Sequence, residues 1–579
     1  MKQKEQEKKG MQILFVYVIP CALILFFCLY YLKSNTSLKV VPDEYGYWAA
    51  AAYMTGTDWA GITSFNSYYG FGYGVILAPI LYFTDHGVLA YQIAMIVNAI
   101  LVCGIYLIVL NVLEEICPEL KTSVKTVTAL AAVLYTGTIY YAQFTLAEIP
   151  LIFVYWLIVL LACKLLKKVT VIRLILFSVL AVYIFSIHQR AIGITIICAM
   201  FLVYLFVKKC KNKKQFLVVG LVLAACIVCV FVFKENYQSA FFPENGVYTN
   251  VNDFGGQHDK IMQLFSIQGI WKFIKGYFGK IYYACSGTFL LAPIALVAVL
   301  RTIVKDWKEK RLSEALIFQI FLFFSLGIMM AIDTVFMIEY NGRFDTLCYG
   351  RYFDFTVGPL IVVALLYLYE LKLCRKEIAA IIAGYVGLSL AVNSIMNYEG
   401  NISVFFLSCP GIADIPRMMD YRENCLLAVS ARCILIFLLF LVLYFTLQKK
   451  KKNILIGAIV GLSSINWLMI SQYVYEGCLS WAKQVCEWEE RLAETILEEG
   501  AEDSLCYYVS EGAFTADYLQ FLLQDHSISC FEDVEEISSF SSDTCVLTVY
   551  NATSIADRLV NAGYEVIFES YNLTLWKQK

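Results

Sequence analysis

Acidic residues that directly follow a long apolar segment are the first candidates for chemistry in this chain. The run Val41–Trp59 carries the adjacent carboxylates Asp43 and Glu44 immediately after the first apolar stretch. Carboxylates beside a membrane span are costly to keep near lipid, so they commonly mark a functional site. The other ionisable residues are therefore best judged by whether they reach the same side of the membrane.

Further ionisable residues are predicted to gather on that side. Glu148 begins one apolar segment, His188 and Arg190 fall in a turn between two others, and a later loop runs directly into a span. That loop supplies Arg343, Tyr349 and Arg351, together with Asp345 and Asp354. A carboxylate can accept a proton from a hydroxyl group as a general base, and the guanidinium fork suits phosphate oxygens. Together these groups suit sugar transfer from a lipid-phosphate donor.

Each candidate also has an ordinary structural explanation. Asp43 follows Pro42 and fits a helix N-cap, and Glu148 fits a span that merely begins in water. His188 with Arg190, and the Tyr-Gly-Arg-Tyr run at 349–352, fit an interfacial belt. Asp253, His258 and Asp259 are of metal-binding types without firm spacing, so we expect them to be solvated.

Composition identifies the elements that must position these residues. The chain has 579 residues, of which 60% are hydrophobic and 16% charged. An ordinary soluble chain is about half apolar and a quarter charged. Repeated apolar runs of about 18 residues or more predict a polytopic α-helical membrane protein. Twenty cysteines lie mostly in apolar segments without ligand spacing, and no nucleic-acid partner is expected.

About thirteen spans are predicted, with the N-terminus in the cytoplasm and the C-terminus outside. They lie at about 11–32, 88–112, 126–143, 148–166, 171–187, 191–207, 215–233, 281–300, 314–338, 353–371, 377–396, 425–447 and 453–474. The 70–83 run is too short and too rich in Gly to cross, so 33–87 becomes one external loop, and 234–280 becomes another. The basic connectors at 164–173, 208–214, 301–311, 372–376 and 449–452 then all lie inside.

The composition changes near residue 476. We therefore divide the chain into a transmembrane domain, 1–475, and an extracytoplasmic domain, 476–579. Alternating apolar and helical stretches predict a small α/β domain with a largely parallel sheet. Strands are expected at 504–510, 527–531, 544–550 and 564–570. Some of its five cysteines could pair in an oxidising compartment.

The first external loop resembles that of the GT-C integral-membrane glycosyltransferases. The likeness is strongest to the branch of protein O-mannosyltransferases and the lipid A aminoarabinose transferase. Its matching residues are Asp43, Glu44, Tyr47, Ala51, Met54, Gly56, Asp58, Trp59, Gly70, Gly72 and Pro79. The Lys-Pro-Pro segment of the aminoarabinose branch is replaced by Tyr69–Gly74, so neither lipid A nor protein is carried over as the acceptor.

The resemblance implies roles for the site. Asp43 would be the base, with Glu44 or Glu148 as second acid, and Arg190 and Arg351 would bind the lipid phosphate. Some family members use a divalent ion, for which Asp43 and Glu148 would be the candidate ligands, and no other cofactor is expected.

The expected activity is inverting transfer of a sugar from a polyprenyl-phosphate donor to a glycan, lipid or protein acceptor. It would take place on the outer face of a bacterial plasma membrane. A transporter or flippase of lipid-linked sugars is the alternative, although its acids would lie mid-span rather than at span ends. A catalytically dead relative that only binds lipid-linked glycans is the third interpretation.

Overall fold

A computed structural model describes the chain at residues 10–209, 214–242, 257–338, 344–370, 373–399, 408–419, 423–446, 452–471, 476–509 and 515–579. The first segment contains helix α1 (Ile19–Leu29), which continues a π-helical turn at Leu14–Val18. The region before the second long helix contains α2 (Asp43–Thr55), α3 (Ala60–Thr63) and α4 (Gly74–Tyr82). With nine residues, α4 is about 13 Å long and cannot cross a core of about 30 Å. It packs instead against α2, as expected for an external segment.

The remaining helices up to residue 471 form the apolar bundle. They are α5 (Gly87–Ile116), α6 (Thr122–Val133), α7 (Thr136–Tyr141), α8 (Glu148–Lys167), α9 (Val171–Ile187), α10 (Ile192–Lys208), α11 (Lys214–Phe241), α12 (His258–Gln263), α13 (Ile267–Gly287), α14 (Leu291–Lys308), α15 (Glu314–Phe336), α16 (Gly358–Tyr369), α17 (Arg375–Glu399), α18 (Asp414–Met418), α19 (Cys425–Thr446) and α20 (Lys452–Ile470). Helix α5 packs along α1 and α8, and α14 packs along α16. A polytopic helical architecture is therefore confirmed.

The number of full-length spans differs from the predicted thirteen. Within the described residues, eight helices are long and apolar enough to cross a membrane, or nine if the bent pair α13–α14 counts as one. Three further apolar helices, Thr122–Val133, Val171–Ile187 and Asp354–Tyr369, are shorter. At 1.5 Å per residue, a helix of 12 residues covers only about 18 Å. Apolar runs therefore located the segments, but fewer than thirteen of them form one helix of spanning length within the described residues.

Two predicted spans are broken. The run at 126–143 divides into α6 and α7, and the run at 281–300 contains a bend of 102° between α13 and α14. Phe289 and Leu290, at that bend, have positive φ values of 49° and 65°. The predicted loop 234–280 is also largely helical where it is described, since α11 extends to Phe241 and α13 starts at Ile267.

The C-terminal region contains three helices and a mixed five-stranded sheet. Its elements are α21 (Glu476–Glu498), β1 (Leu505–Tyr508), α22 (Ala516–Leu522), β2 (Ser529–Phe531), β3 (Cys545–Val549), α23 (Thr553–Asn561), β4 (Tyr564–Glu569) and β5 (Leu573–Gln578). The strand order is β2-β1-β3-β5-β4. Strand β1 is parallel to β2 and β3, but β5 is antiparallel to β3 and β4.

The predicted largely parallel sheet is therefore half antiparallel. The sequence analysis missed β5, which follows β4 after a short turn and forms a hairpin that needs no crossover helix. Cys486, Cys506, Cys530 and Cys545 are free thiols, and no disulfide occurs among the described cysteines.

The C-terminal region packs onto the segment that follows α2, near the acidic motif. The indole N–H of Trp59 donates to the Gln524 carbonyl at 2.8 Å, and the Asn66 amide donates to the Asp517 carboxylate at 2.7 Å. An added Cβ on Gly61 would lie 2.1 Å from the Ile528 carbonyl oxygen. The sheet region therefore covers the segment that follows α2.

Candidate functional site

The adjacent carboxylates Asp43 and Glu44 lie in the first turn of α2 but have different environments. Glu44 is fully buried, and its Oε1 accepts hydrogen bonds from the backbone N–H groups of Lys39 and Val40 at 2.7 and 2.9 Å. Its Oε2 accepts from the Tyr91 hydroxyl and from both the backbone and hydroxyl of Thr145, at 2.7–2.8 Å. Five donors occupy this carboxylate, so Glu44 joins the start of α2 to α5 and to the segment before α8.

Asp43 belongs to a chain of alternating charges. Its Oδ2 accepts from Arg351 Nη1 at 2.6 Å, and Arg351 Nε donates to Glu148 Oε1 at 2.8 Å. The same Glu148 oxygen accepts from Arg190 Nη2 at 2.6 Å. Burial lowers the pKa of Arg351, but Glu148 and Asp43 outweigh it and hold that pKa well above its ordinary value. Arg351 therefore remains a cation that bridges two carboxylates.

Exposure distinguishes the two carboxylates of this chain. The Asp43 side chain is 24% exposed, whereas that of Glu148 is 1% exposed. Asp43 Oδ1 also accepts from the Tyr69 hydroxyl at 2.7 Å. Each carboxylate oxygen has two lone-pair positions, so Asp43 can accept a further hydrogen bond from an incoming hydroxyl group. Of the two, Asp43 is the carboxylate that a substrate can reach.

Aromatic rings lie beside Arg190, the last member of this series of alternating charges. The Arg190 guanidinium lies 4.2 Å from the Tyr352 ring centroid, and the Tyr349 and Tyr352 rings are 4.9 Å apart. His188 Nδ1 accepts from the Arg190 backbone N–H at 3.3 Å. Burial and the neighbouring arginines lower the pKa of His188 well below its ordinary value. The imidazole is thus neutral and caps the turn Gln189–Ala191 that precedes α10.

Several buried polar atoms at this site have no hydrogen-bond partner among the described residues. They are Glu148 Oε2, Arg190 Nε, Arg190 Nη1 and the Tyr47 hydroxyl. Buried polar groups in proteins are nearly always hydrogen-bonded, so such a concentration requires an explanation. The two unpaired nitrogens of Arg190, which is linked to Asp43 through Glu148 and Arg351, provide donors for an oxygen-rich ligand.

The Gly-rich run after α3 presents Tyr69 to Asp43. The Gly72 N–H donates to the Ser186 carbonyl at 2.8 Å, and the Tyr183 hydroxyl donates to the Gly72 carbonyl at 2.9 Å. An added Cβ on Gly70 would lie 2.4 Å from the Ile187 carbonyl oxygen. Only glycine permits this approach of the run to the end of α9.

The structure thus brings together Asp43, Glu148, His188, Arg190, Tyr349 and Arg351, while Glu44 faces the adjoining polar core. Arg343 lies outside the described residues, as does Asp253. The charges approach one another although Asp43 and Arg351 are 308 residues apart. The predicted topology placed them at one face but could not assign partners.

Two further sets of buried polar residues lie near the site: Asp354, which the sequence places in the loop that contains Arg351, and the pair Lys280 and Asp333, which sequence reasoning missed. Asp354 accepts hydrogen bonds from the hydroxyl groups of Tyr135, Tyr141 and Tyr283 at 2.8–3.3 Å. Lys280 and Asp333 are fully buried and form an ion pair at 3.7 Å. A carboxylate within the predicted span 314–338 was a usable signal, because ionisable residues inside spans are rare and commonly functional.

The described residues do not offer a divalent ion an evident site. No group of three or more His, Cys, Asp or Glu side chains with a metal-binding arrangement occurs within them. The Arg351 guanidinium lies between Asp43 and Glu148, the two predicted ligands, and occupies the position where a cation would bind both. As arranged, this pair of carboxylates does not fit a metal ion, because the guanidinium group already neutralises both members.

Comparison with solved structures identifies the fold. The chain is similar to ArnT from Cupriavidus metallidurans bound to undecaprenyl phosphate, with a TM-score of 0.54, 10% identity and coverage of 98% of both chains. The apo state of the same protein gives a TM-score of 0.50 at the same identity and coverage. No protein-family model and no curated protein sequence matches the chain. The expected GT-C fold is thereby confirmed.

Proposed function

We propose that this GT-C chain transfers a sugar from a polyprenyl-phosphate donor to a hydroxyl-bearing acceptor. The observation that carries the proposal is the single cluster in which a reachable Asp43 binds Arg351 and a second arginine, Arg190, retains open N–H groups. The cluster provides a base for the acceptor and cations for the donor phosphate within one site.

The proposed reaction is a direct displacement. Asp43 takes the proton from the acceptor hydroxyl as its oxygen attacks the anomeric carbon of the donor sugar. The bond between that carbon and the phosphate oxygen breaks, and the electron pair leaves with the phosphate. Because the attack occurs opposite to the leaving group, the anomeric configuration inverts.

Arg351 and Arg190 are assigned to the leaving group. The departing polyprenyl phosphate carries one more negative charge than the donor phosphodiester. Guanidinium groups that are already fixed by Glu148 can stabilise this developing charge without a large reorganisation. Glu148 is therefore a positioning residue in this scheme, and Glu44 holds the start of α2 in place.

The fold adds support for a lipid-linked donor, since a protein with the same fold has been crystallised with undecaprenyl phosphate. The eight long apolar helices are consistent with a bilayer around the bundle. We assign the site and the C-terminal region to the outer face of a bacterial plasma membrane. The basic connectors, placed inside by the predicted topology, support this orientation.

The test is transfer of labelled sugar from a panel of polyprenyl-phosphate sugars to membranes that lack the protein. Purified wild type and Asp43→Asn would be compared, with donor binding measured separately. We expect wild-type transfer with at least one donor, and retained binding without transfer in the variant. Undiminished transfer by Asp43→Asn would refute the assignment of the base.

The same preparation separates the alternatives. Flux of lipid-linked sugar across sealed vesicles without transfer would establish a flippase, and donor binding with neither flux nor transfer would establish a binding protein. The buried Lys280–Asp333 pair does not favour transport. Asp333 is three residues from the end of α15, and Lys280 Nζ contacts the carbonyl oxygens of Thr346 and Leu347 in the loop that leads to Arg351. The pair therefore lies near the face that holds the site.

A further inference from the structure

A buried lysine of α13 contacts the loop that supplies Arg351. Lys280 is fully buried, and its Nζ donates to the carbonyl oxygen of Thr346 and, at 3.5 Å, to that of Leu347. An added Cβ on Gly279 would lie 2.1 Å from the Leu347 carbonyl oxygen, so the backbone of α13 also reaches the loop. The loop therefore contacts α13 through an ammonium group and through a position that is open only to glycine.

The carboxylate that neutralises Lys280 is not its hydrogen-bond partner. Asp333 Oδ2 lies 3.7 Å from Lys280 Nζ, beyond hydrogen-bond distance, and neither Asp333 oxygen has a hydrogen-bond partner among the described residues. A direct hydrogen bond between two charged groups would be stronger than one to a neutral carbonyl group. Because the ammonium group nevertheless donates to the loop, the loop contact rather than the ion pair determines where Lys280 Nζ lies.

The loop is fixed from a second side as well. The Ser408 carbonyl oxygen accepts from the backbone N–H groups of Gly350 and Arg351, at 2.6 and 3.2 Å. An added Cβ on Gly350 would lie 2.0 Å from the ring of Tyr283, another residue of α13. The backbone of Arg351 is thus held between α13 and Ser408.

The position of this backbone matters because Arg351 makes two directional contacts. Its Nη1 donates to Asp43 Oδ2 at 2.6 Å and its Nε to Glu148 Oε1 at 2.8 Å. Hydrogen bonds weaken steeply when their angles depart far from linearity. A misplacement of about 1 Å in a catalytic group can lower the rate of a reaction about 100-fold. A residue that fixes this loop can therefore control the rate without touching the substrate.

We propose that Lys280 is a positioning residue for sugar transfer. Its ammonium group holds the carbonyl groups of Thr346 and Leu347, so that the guanidinium group of Arg351 reaches both of its carboxylates. Asp333 neutralises the ammonium group and does not hold the loop. The inference rests on the proposed function, because it gives Lys280 its effect through the assignment of Arg351 to the leaving phosphate.

The kinetic test compares Lys280→Met, Asp333→Asn and the double variant as full-length proteins. Lys280→Met leaves a buried carboxylate without its cation and should lower the unfolding midpoint, whereas the double variant has neither charge and should recover it. In both proteins kcat should fall about 100-fold with a smaller change in KM, since Arg351 acts on charge that develops during the reaction. Asp333→Asn keeps the loop contacts, so its kcat should fall less. A double variant with the midpoint and the kcat of wild type would overturn the proposal.

Hydrogen exchange tests the same inference without any measurement of activity. The amide groups of Gly350 and Arg351 should exchange faster in the double variant than in wild type, whether or not transfer is detected. This difference together with inactive wild type would refute the proposed function and leave the positioning of the loop supported. Unchanged exchange of both amides would refute the positioning role of Lys280 itself.

A variant without any change of charge perturbs the same contact. Gly279→Ala places a methyl group against the Leu347 carbonyl oxygen and should also lower kcat more than it raises KM. The control Gly387→Ala, whose added Cβ would have no atom within 4 Å, should behave as wild type. A kcat of Gly279→Ala equal to that of the control would contradict the dependence of transfer on the contact between α13 and the loop.

Discussion

The adjacent carboxylates of α2 should respond in opposite ways to loss of charge. Glu44→Gln should destabilise the protein, whereas Asp43→Asn should abolish transfer and leave the fold nearly unchanged. The expectation follows from their surroundings: Glu44 is fully buried with five hydrogen-bond donors, and Asp43 is 24% exposed with two.

The cost of Glu44→Gln can be worked from the contacts. Two donors face Oε1 and three face Oε2, so an amide group at either position removes the acceptor for at least two of them. A hydrogen bond to a charged group contributes about 1.5–3 kcal/mol, which gives a loss of about 3–6 kcal/mol. The unfolding midpoint should fall by about 6 °C or more.

The cost of Asp43→Asn is kinetic. Asparagine can still accept from Tyr69, and Arg351 keeps its contact with Glu148. Loss of a general base lowers kcat by about 10²–10⁴-fold, equivalent to about 3–5 kcal/mol of transition-state stabilisation. The midpoint should fall less than that of Glu44→Gln, because asparagine keeps an acceptor for Tyr69 and Arg351 stays paired with Glu148.

The assay combines thermal unfolding in detergent with initial rates on the donor identified in the transfer panel. Wild type and both variants would be purified identically and normalised to folded protein. A Glu44→Gln variant as stable as wild type but catalytically dead, beside an active Asp43→Asn, would reverse the two assignments and refute the reasoning.

Three other substitutions test separate parts of the structure. Arg351→Lys replaces the planar guanidinium that bridges two carboxylates with a point charge. Its kcat/KM should therefore fall at least tenfold, about 1.4 kcal/mol, and the kcat/KM of Arg351→Ala should fall further. Equal kcat/KM values for Arg351→Lys and wild type would contradict the bridging role. Gly70→Ala places a Cβ 2.4 Å from the Ile187 carbonyl oxygen and should lower the free energy of unfolding by about 1–3 kcal/mol. The control Gly220→Ala, whose Cβ would have no atom within 4 Å, should not destabilise the protein. Equal unfolding midpoints for the two variants would show that the Gly-rich segment can shift to accept the methyl group. Burial raises the pKa of Glu489 from 4.5 to about 7, so the folded state binds the proton more tightly than the unfolded state. The free energy of unfolding should therefore fall by about 3 kcal/mol as pH rises from 4.5 to 7, and Glu489→Gln should remove this pH dependence of the unfolding midpoint. Midpoints of wild type and Glu489→Gln that change with pH in the same way would contradict this role of Glu489.

Apolar run length and residue types predicted much of the architecture. The membrane class, the strand–helix character of the C-terminal region and the face that carries Asp43, Glu148, Arg190 and Arg351 all agree with the structure. These features depend on local pattern and on charge placement, which a sequence displays directly.

Features that depend on distant or irregular contacts could not be predicted. The bend at Phe289–Leu290 occurs in two apolar residues that give no turn signal. The pairing of Glu148 with Arg351 joins positions 203 residues apart, and hydropathy at one position contains no information about the other. Three of the five donors to Glu44 also come from distant residues, Tyr91 and Thr145, so the sequence did not distinguish the role of Glu44 from that of Asp43.

The contact of the C-terminal region with the acidic-motif segment also determines how late in translation this part of the fold can form. Trp59 and its acceptor Gln524 are 465 residues apart, and Asn66 and Asp517 are 451 apart. At about 5–20 residues per second, the ribosome reaches the acceptor roughly 20–90 s after it has made the tryptophan. The segment beside Asp43 therefore lacks its contacts with the C-terminal region until translation is almost complete. A chain released before α22 would insert its helices and still lack the partners of Trp59 and Asn66, so quality control could recognise an unfinished protein by that exposed surface.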